Sequence, residues 1–117
     1  MAERPHILSV SNDAALLKSR QMVLEAGGYR VTSVVGYSEA LAAFQSATYD
    51  LLIIGHSLLL AEKQSLIEAF RKSYPLLPIL ALTRPWEVAV DGANKSFDAS
   101  YSPEALLLVV EELLGPR

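Results

Sequence analysis

The residues that are best suited to chemistry lie at the ends of short apolar runs. These residues are Ser11, Asn12 and Asp13 in one place, Gly55 and His56 in a second, and Thr83 and Arg84 in a third. If the apolar runs are parallel strands, their carboxyl ends meet at one edge, where open sheets collect their chemistry. Carboxylates there would hold a cation, whereas hydroxyl, imidazole and guanidinium groups would hold an anion.

Arg84 and His56 suggest a positively charged pocket that binds a small anion without covalent chemistry. The alternative that we favour is a solvated arginine on a loop and an imidazole that is partly buried just beyond its strand. The imidazole of His56 is also a group that can carry a phosphate.

An enzymatic site is harder to assemble. The chain has two histidines and no cysteine, and it lacks a glycine-rich loop that could cradle a phosphate. No pair of nucleophile and base emerges, so we expect a protein that is not an enzyme. A small hydrolase or transferase is the rival within the enzyme class.

Composition bounds the remaining possibilities. The chain has 117 residues, is 51% hydrophobic and carries a net charge of -3. We expect a single domain over residues 1–117, without direct nucleic-acid contacts because no basic face is present. No apolar run approaches membrane-spanning length, and we expect a cytoplasmic location without membrane contact.

Apolar runs alternate with helical stretches along the whole chain. Strands are predicted at 6–10, 29–35, 51–54, 79–82 and 96–99. Helices are predicted from a cap at Asn12 or Asp13 to 26, at 39–46, 61–74 and 86–90, and from 103 to 114. Arg20 falls on the inward stripe of the first helix, and we expect it to extend its charged end to solvent. This alternation predicts an α/β fold with a doubly wound parallel sheet.

Several segments, in this order, resemble the receiver domain of two-component response regulators, the CheY-like family. They are Ile7 to Asp13, Glu25 to Val31, Tyr49 to Ile54, Pro78 to Thr83, Gly92-Ala93 and Tyr101 to Leu106. The resemblance covers nearly the whole chain. It implies a flavodoxin-like (βα)5 fold with strand order 2-1-3-4-5 and a role in phosphorelay signalling.

The resemblance also assigns positions to the family's phosphorylation residues. The acidic pair falls on Ser11 and Asn12, the phosphoacceptor aspartate on Gly55, the switch hydroxyl on Thr83, the lysine on Ala99 and the aromatic switch residue on Tyr101. Glycine cannot form an acyl phosphate, and neutral serine and asparagine are weak ligands for Mg²⁺. We therefore expect a degenerate receiver domain that uses neither Mg²⁺ nor another cofactor.

Such a domain would act through its surface. Receiver domains usually present the face made of their fourth helix, fifth strand and fifth helix. Here that face would include Trp86, Val90, Tyr101, Leu107 and Leu108. We expect phosphorylation-independent contacts with other signalling proteins, or a homodimer, through this face. The alternatives are scattered surface apolar residues without a partner and a response regulator that is phosphorylated on an unrecognised acceptor.

Overall fold

A five-stranded parallel sheet forms the centre of the molecule. The computed structural model describes residues 4–87, 89–98 and 102–115. The strands are β1 (His6–Ser11), β2 (Arg30–Val35), β3 (Leu51–Ile54), β4 (Ile79–Thr83) and β5 (Lys95–Asp98). They lie in the order β2-β1-β3-β4-β5, and all four pairings are parallel. The predicted flavodoxin-like sheet and its strand order are confirmed.

Helices cover both faces of this sheet. Four are described: α1 (Ala14–Ala26), α2 (Tyr37–Ser46), α3 (Leu60–Ser73) and α4 (Pro103–Leu114). One core cluster joins α2 and α3 to one face, and a second joins α1 and α4 to the other. In β3, Leu52 and Ile54 face the first cluster, whereas Leu51 and Ile53 face the second. Burial on both faces explains why this strand is uniformly apolar.

Residues at the helix starts fix where the chain enters two of the helices. The Asp13 carboxylate accepts hydrogen bonds from the backbone N–H groups of Ala15 and Leu16, which identifies Asp13 as the cap of α1. Ser102 caps α4 in the same way, with Pro103 in its first turn. Both caps follow the sequence prediction.

The predicted helix at 86–90 is wrong: residues 85–87 form a turn, and no helix is described between β4 and β5. The Glu87 N–H donates to the Arg84 carbonyl at 3.0 Å, and the Glu87 carboxylate accepts from the Arg84 N–H at 2.7 Å. These two bonds close a four-residue turn with Pro85 in its second position. The Val90 N–H then donates to Ser96 Oγ at 2.9 Å, so it is not available to a helix.

None of the helices in the described residues is both long enough and apolar enough to cross a bilayer.

Candidate functional site

Hydroxyl and amide groups connect the ends of β1 and β3. Ser11 Oγ and Ser57 Oγ lie 2.8 Å apart, and Ser57 Oγ also accepts the Asn12 N–H at 2.8 Å. The Asn12 side-chain amide donates to the Ser57 carbonyl at 3.2 Å. The two positions that the resemblance assigns to an acidic pair are therefore joined to the next loop by hydrogen bonds between neutral groups.

Asp13 is the carboxylate that follows these two residues, but it serves the first helix. Its Oδ1 accepts the N–H groups of Ala15 and Leu16 at 3.0 and 3.1 Å. Its own N–H donates to Ser11 Oγ at 3.0 Å. The side chain thus occupies the start of α1.

Gly55 lies in a narrow space that leaves little room for a side chain. Its N–H donates to the Val10 carbonyl at 2.7 Å, which continues the pairing of β1 and β3. A Cβ atom at this position would lie 2.9 Å from the Val10 oxygen, 3.0 Å from Ser11 Cβ and 3.1 Å from Arg20 Nη1. Because two of these neighbours are fixed by the β1 backbone, even alanine would require the surroundings to move.

Arg20 supplies the cation that lies beside this glycine. The residue is only 9% exposed, so the prediction that it extends to solvent is wrong. Its buried Nη1 has no hydrogen-bond partner among the described residues. Burial lowers the pKa of Arg20, and the charge of Asp13 opposes this effect. A guanidinium thus stands where the resemblance places a reactive carboxylate.

His56 follows Gly55 and experiences the same positive environment. Burial lowers its pKa, as do the charges of Arg20 and Arg84, whereas Glu87 acts in the opposite direction. Its Nδ1 is buried and has no hydrogen-bond partner within the described part of the chain. A neutral imidazole is the form that these surroundings favour.

Arg84 is more exposed and has its own acidic neighbour. Its Nη1 lies 3.9 Å from Glu87 Oε2, and it approaches the His56 carbonyl oxygen at 3.5 Å. The N–H of Arg84 lowers the pKa of Glu87 by bonding its carboxylate. Arg84 and His56 are therefore neighbours, as the anion-pocket hypothesis requires. Anion binding by this pair stays a prediction.

Thr83 ends β4 and is 6% exposed. Its Oγ1 donates to the Phe97 carbonyl of β5 at 3.4 Å. This contact agrees with a strand-end residue that bonds locally. Ala99 and Tyr101, the positions assigned to the lysine and to the aromatic switch residue, lie outside the described residues.

The donor set does not fit the Mg²⁺ that active receiver domains use. The positions assigned to the ligands hold Ser11 and Asn12, which bond to Ser57, and Arg20 brings a positive charge to Gly55. Mg²⁺ prefers carboxylate ligands in such sites. The part of the chain that the structure describes contains no cluster of three or more histidine, aspartate or glutamate side chains suited to a metal.

The residues of the predicted interaction face differ in their exposure. Trp86 is 77% exposed and Leu108 is 62% exposed. Leu107 is half-buried, and its side chain packs against Gly27. Val90 is only 7% exposed and belongs to the core on the α2 and α3 side, so it offers little surface to a partner.

Two residues that the sequence analysis assigned no part in the site, Ser57 and Arg20, are central to its geometry. Ser57 lies two positions after Gly55, and this spacing alone was a weak signal. Arg20 carried a stronger signal, because a charged residue on the inward stripe of an amphipathic helix requires an explanation.

Comparison with solved structures places this architecture among CheY-like receiver domains. The chemotaxis protein CheY4 of Vibrio cholerae is 25% identical, with a TM-score of 0.83; the match covers 95% of this chain and 99% of that one. A CheY-like receiver domain from Methanospirillum hungatei is 25% identical, with a TM-score of 0.84 and coverage of 96% and 94%. A putative response regulator from Chloroflexus aurantiacus is 26% identical, with a TM-score of 0.83 and coverage of 96% and 98%.

The chain thus has the receiver fold of response regulators, which points to two-component signalling. The response regulator TrrA of Thermotoga maritima, in complex with Mg²⁺ and BeF, has a TM-score of 0.83 at 24% identity, a likeness of fold alone. No protein-family model and no curated protein matches the chain.

Proposed function

We propose that this protein is a pseudo-receiver domain that transmits signals through protein–protein contacts without being phosphorylated. The observation that carries the proposal is the packing of Gly55 against Arg20 Nη1 and the β1 backbone. An aspartate side chain has no room there, and the nearest charge is positive. In this proposal the domain is not an enzyme, uses no Mg²⁺ and acts in the cytoplasm.

The neutral hydrogen bonds around Ser57 support the same proposal. In an active receiver domain, a metal and a lysine offset the repulsion within a crowded acidic cluster. Here Ser11, Asn12 and Ser57 satisfy one another directly. These hydrogen bonds hold the site together without the acidic cluster, metal ion and lysine of an active receiver domain.

Exposed apolar side chains support the interaction part of the proposal. Large aromatic residues often dominate the binding energy of interfaces, and Trp86 is largely exposed on the turn that leaves β4. Leu108 projects an aliphatic side chain from α4. We propose that these side chains contact another signalling protein or a second copy of this chain.

Incubation with acetyl phosphate and Mg²⁺, followed by intact-mass measurement, tests the absence of phosphorylation. We expect no added phosphoryl group on the wild-type protein. An added phosphoryl group overturns the proposal. The His56→Gln variant, treated in parallel, then shows whether His56 is the acceptor, because only a histidine acceptor loses the modification in this variant.

A further inference from the structure

A cavity lies beside Arg20, between α1 and α4. Its volume is about 140 Å³, and its lining includes the apolar side chains of Leu16, Val23, Leu82 and Leu106, with Ser19, Arg20 and Ser102 as polar members. Leu82 belongs to β4, so the floor of the cavity is the sheet and its walls are the two helices. The cavity is thus a mostly apolar space with one buried cation in its wall.

Among the described residues, no ion pair balances the charge of Arg20. The ion pairs among the described residues are Arg84 with Glu87 and Lys95 with Glu112. Asp13 acts on Arg20 electrostatically, but its Oδ1 caps α1. Arginine stays protonated in proteins, and a buried charge without a partner is costly. An anion that paired with this guanidinium would therefore bind more tightly than an anion that pairs with a surface arginine.

We propose that this cavity binds a small monocarboxylic acid with an apolar body, whose carboxylate pairs with Arg20. A guanidinium matches the two oxygens of a carboxylate. The leucine and valine side chains would cover the apolar body of the ligand. Inorganic phosphate suits the cavity less well, because most of its oxygens would face apolar side chains.

The size of the cavity narrows the choice of probe. An apolar cavity of about 150 Å³ accommodates benzene in another protein. Benzoate adds one carboxylate to such a ring, and benzamide is its uncharged analogue. Binding of this kind would give the domain a chemical input that does not depend on how the protein signals to its partners.

Titration calorimetry and thermal unfolding of the full chain with benzoate, benzamide and phosphate test this proposal. We expect benzoate to bind at millimolar concentration and to raise Tm. We expect benzamide and phosphate to bind the wild-type protein at least about tenfold more weakly than benzoate does. Benzamide lacks the charge-assisted bond, and phosphate lacks the apolar body. We expect benzoate to bind the Arg20→Gln variant more weakly by the same factor, because the charge-assisted bond is lost. Arg30→Gln, which changes an exposed arginine of β2, is the control and should bind benzoate like the wild type.

Two further measurements keep the test decisive if Arg20→Gln does not fold. Ser19→Leu places an apolar side chain at the cavity from an exposed position, and it should abolish benzoate binding. In the wild-type protein, the side-chain N–H resonance of Arg20 should shift with benzoate and not with benzamide. No binding at millimolar benzoate, equal binding of benzamide, or tighter binding of phosphate than of benzoate overturns the proposal.

Discussion

At the scale of single residues, the end of β3 carries a glycine at the position that the resemblance assigns to the phosphoacceptor aspartate. Gly55 has no side chain, and α1 brings the buried Arg20 into the adjoining space. A buried guanidinium and a buried Mg²⁺ would repel each other. The space next to Gly55 thus contains a cation that belongs to the protein itself.

The narrow space around Gly55 predicts the effect of adding a single methyl group. Gly55→Ala should lower the free energy of unfolding by about 1–3 kcal/mol, because the new Cβ meets the fixed backbone of β1. Gly27→Ala is the matched variant: its Cβ would first meet the flexible end of Leu107. Chemical denaturation should show a smaller loss for Gly27→Ala. An equal loss of unfolding free energy in both variants contradicts the narrow space around Gly55.

The lowered pKa of His56 predicts how stability depends on pH. The unfolded chain, with an ordinary histidine pKa of 6.5, takes up a proton more readily than the folded protein does. The stabilising contribution is therefore present above this pKa and is lost as the pH falls below it. Denaturation curves at a series of pH values from about 7.5 to 5.5 should show a smaller loss for His56→Gln than for the wild type. Parallel curves for the two proteins would contradict the assignment.

At the scale of elements, α1 contributes Arg20 to the site, and the start of the helix is held by residues of the same site. Its cap, Asp13, follows the β1 residues that bond to Ser57, and Arg20 lies farther along the same helix, beside Gly55. The start of the helix and its buried cation are thus anchored to neighbouring parts of one sheet edge. Between β4 and β5, the Arg84–Glu87 turn replaces a helix and leaves Trp86 exposed.

The double role of Asp13 can be separated with two substitutions. Asp13→Ala removes the cap and the charge, and it should destabilise the protein by about 1–2 kcal/mol. Asp13→Asn keeps a side chain that caps helices well and removes only the charge that acts on Arg20. We expect Asp13→Asn to lose less stability than Asp13→Ala in urea denaturation. If the two variants lose the same amount, capping is not the main role of Asp13.

At the scale of the whole molecule, helices cover the two faces of the sheet, so the proposed partner contacts would use the outer surfaces of the helices and loops. Leu108 lies on the outer side of α4, whereas Leu106, Val109 and Val110 of the same helix face the core. One apolar residue is not an interface by itself. Its position on the face that receiver domains commonly use makes it a good point to test self-association.

Size-exclusion chromatography with light scattering tests the proposed homodimer. We expect the wild-type chain to dimerise at high concentration and Leu108→Asp to shift the equilibrium toward monomer, because a charge replaces an apolar contact. Leu76→Asp is the control, since Leu76 is 93% exposed in the turn after α3. A wild-type protein that stays monomeric, or an equal shift in both variants, excludes this interface.

The sequence predicted the fold well because burial leaves a strong local signal. The uninterrupted run of β3, the Asp13 cap and the Ser102-Pro103 start of α4 were each visible in residue type and spacing. The helix prediction at 86–90 was wrong because the hydrogen bonds that form instead are not visible in the local pattern. One closes the turn between Arg84 and Glu87, and the other joins Val90 to Ser96 of β5.

By itself, the sequence determined which side chains the sheet edge lacks: residue identity alone shows that Gly55 carries no carboxylate and that Ser11 and Asn12 are neutral. Only the tertiary structure decided what occupies the space, because the position of a long side chain such as Arg20 depends on how α1 packs against the sheet. The sequence predicted that the charged end of Arg20 extends to solvent, whereas packing placed it as a buried cation beside the glycine and beside an apolar cavity.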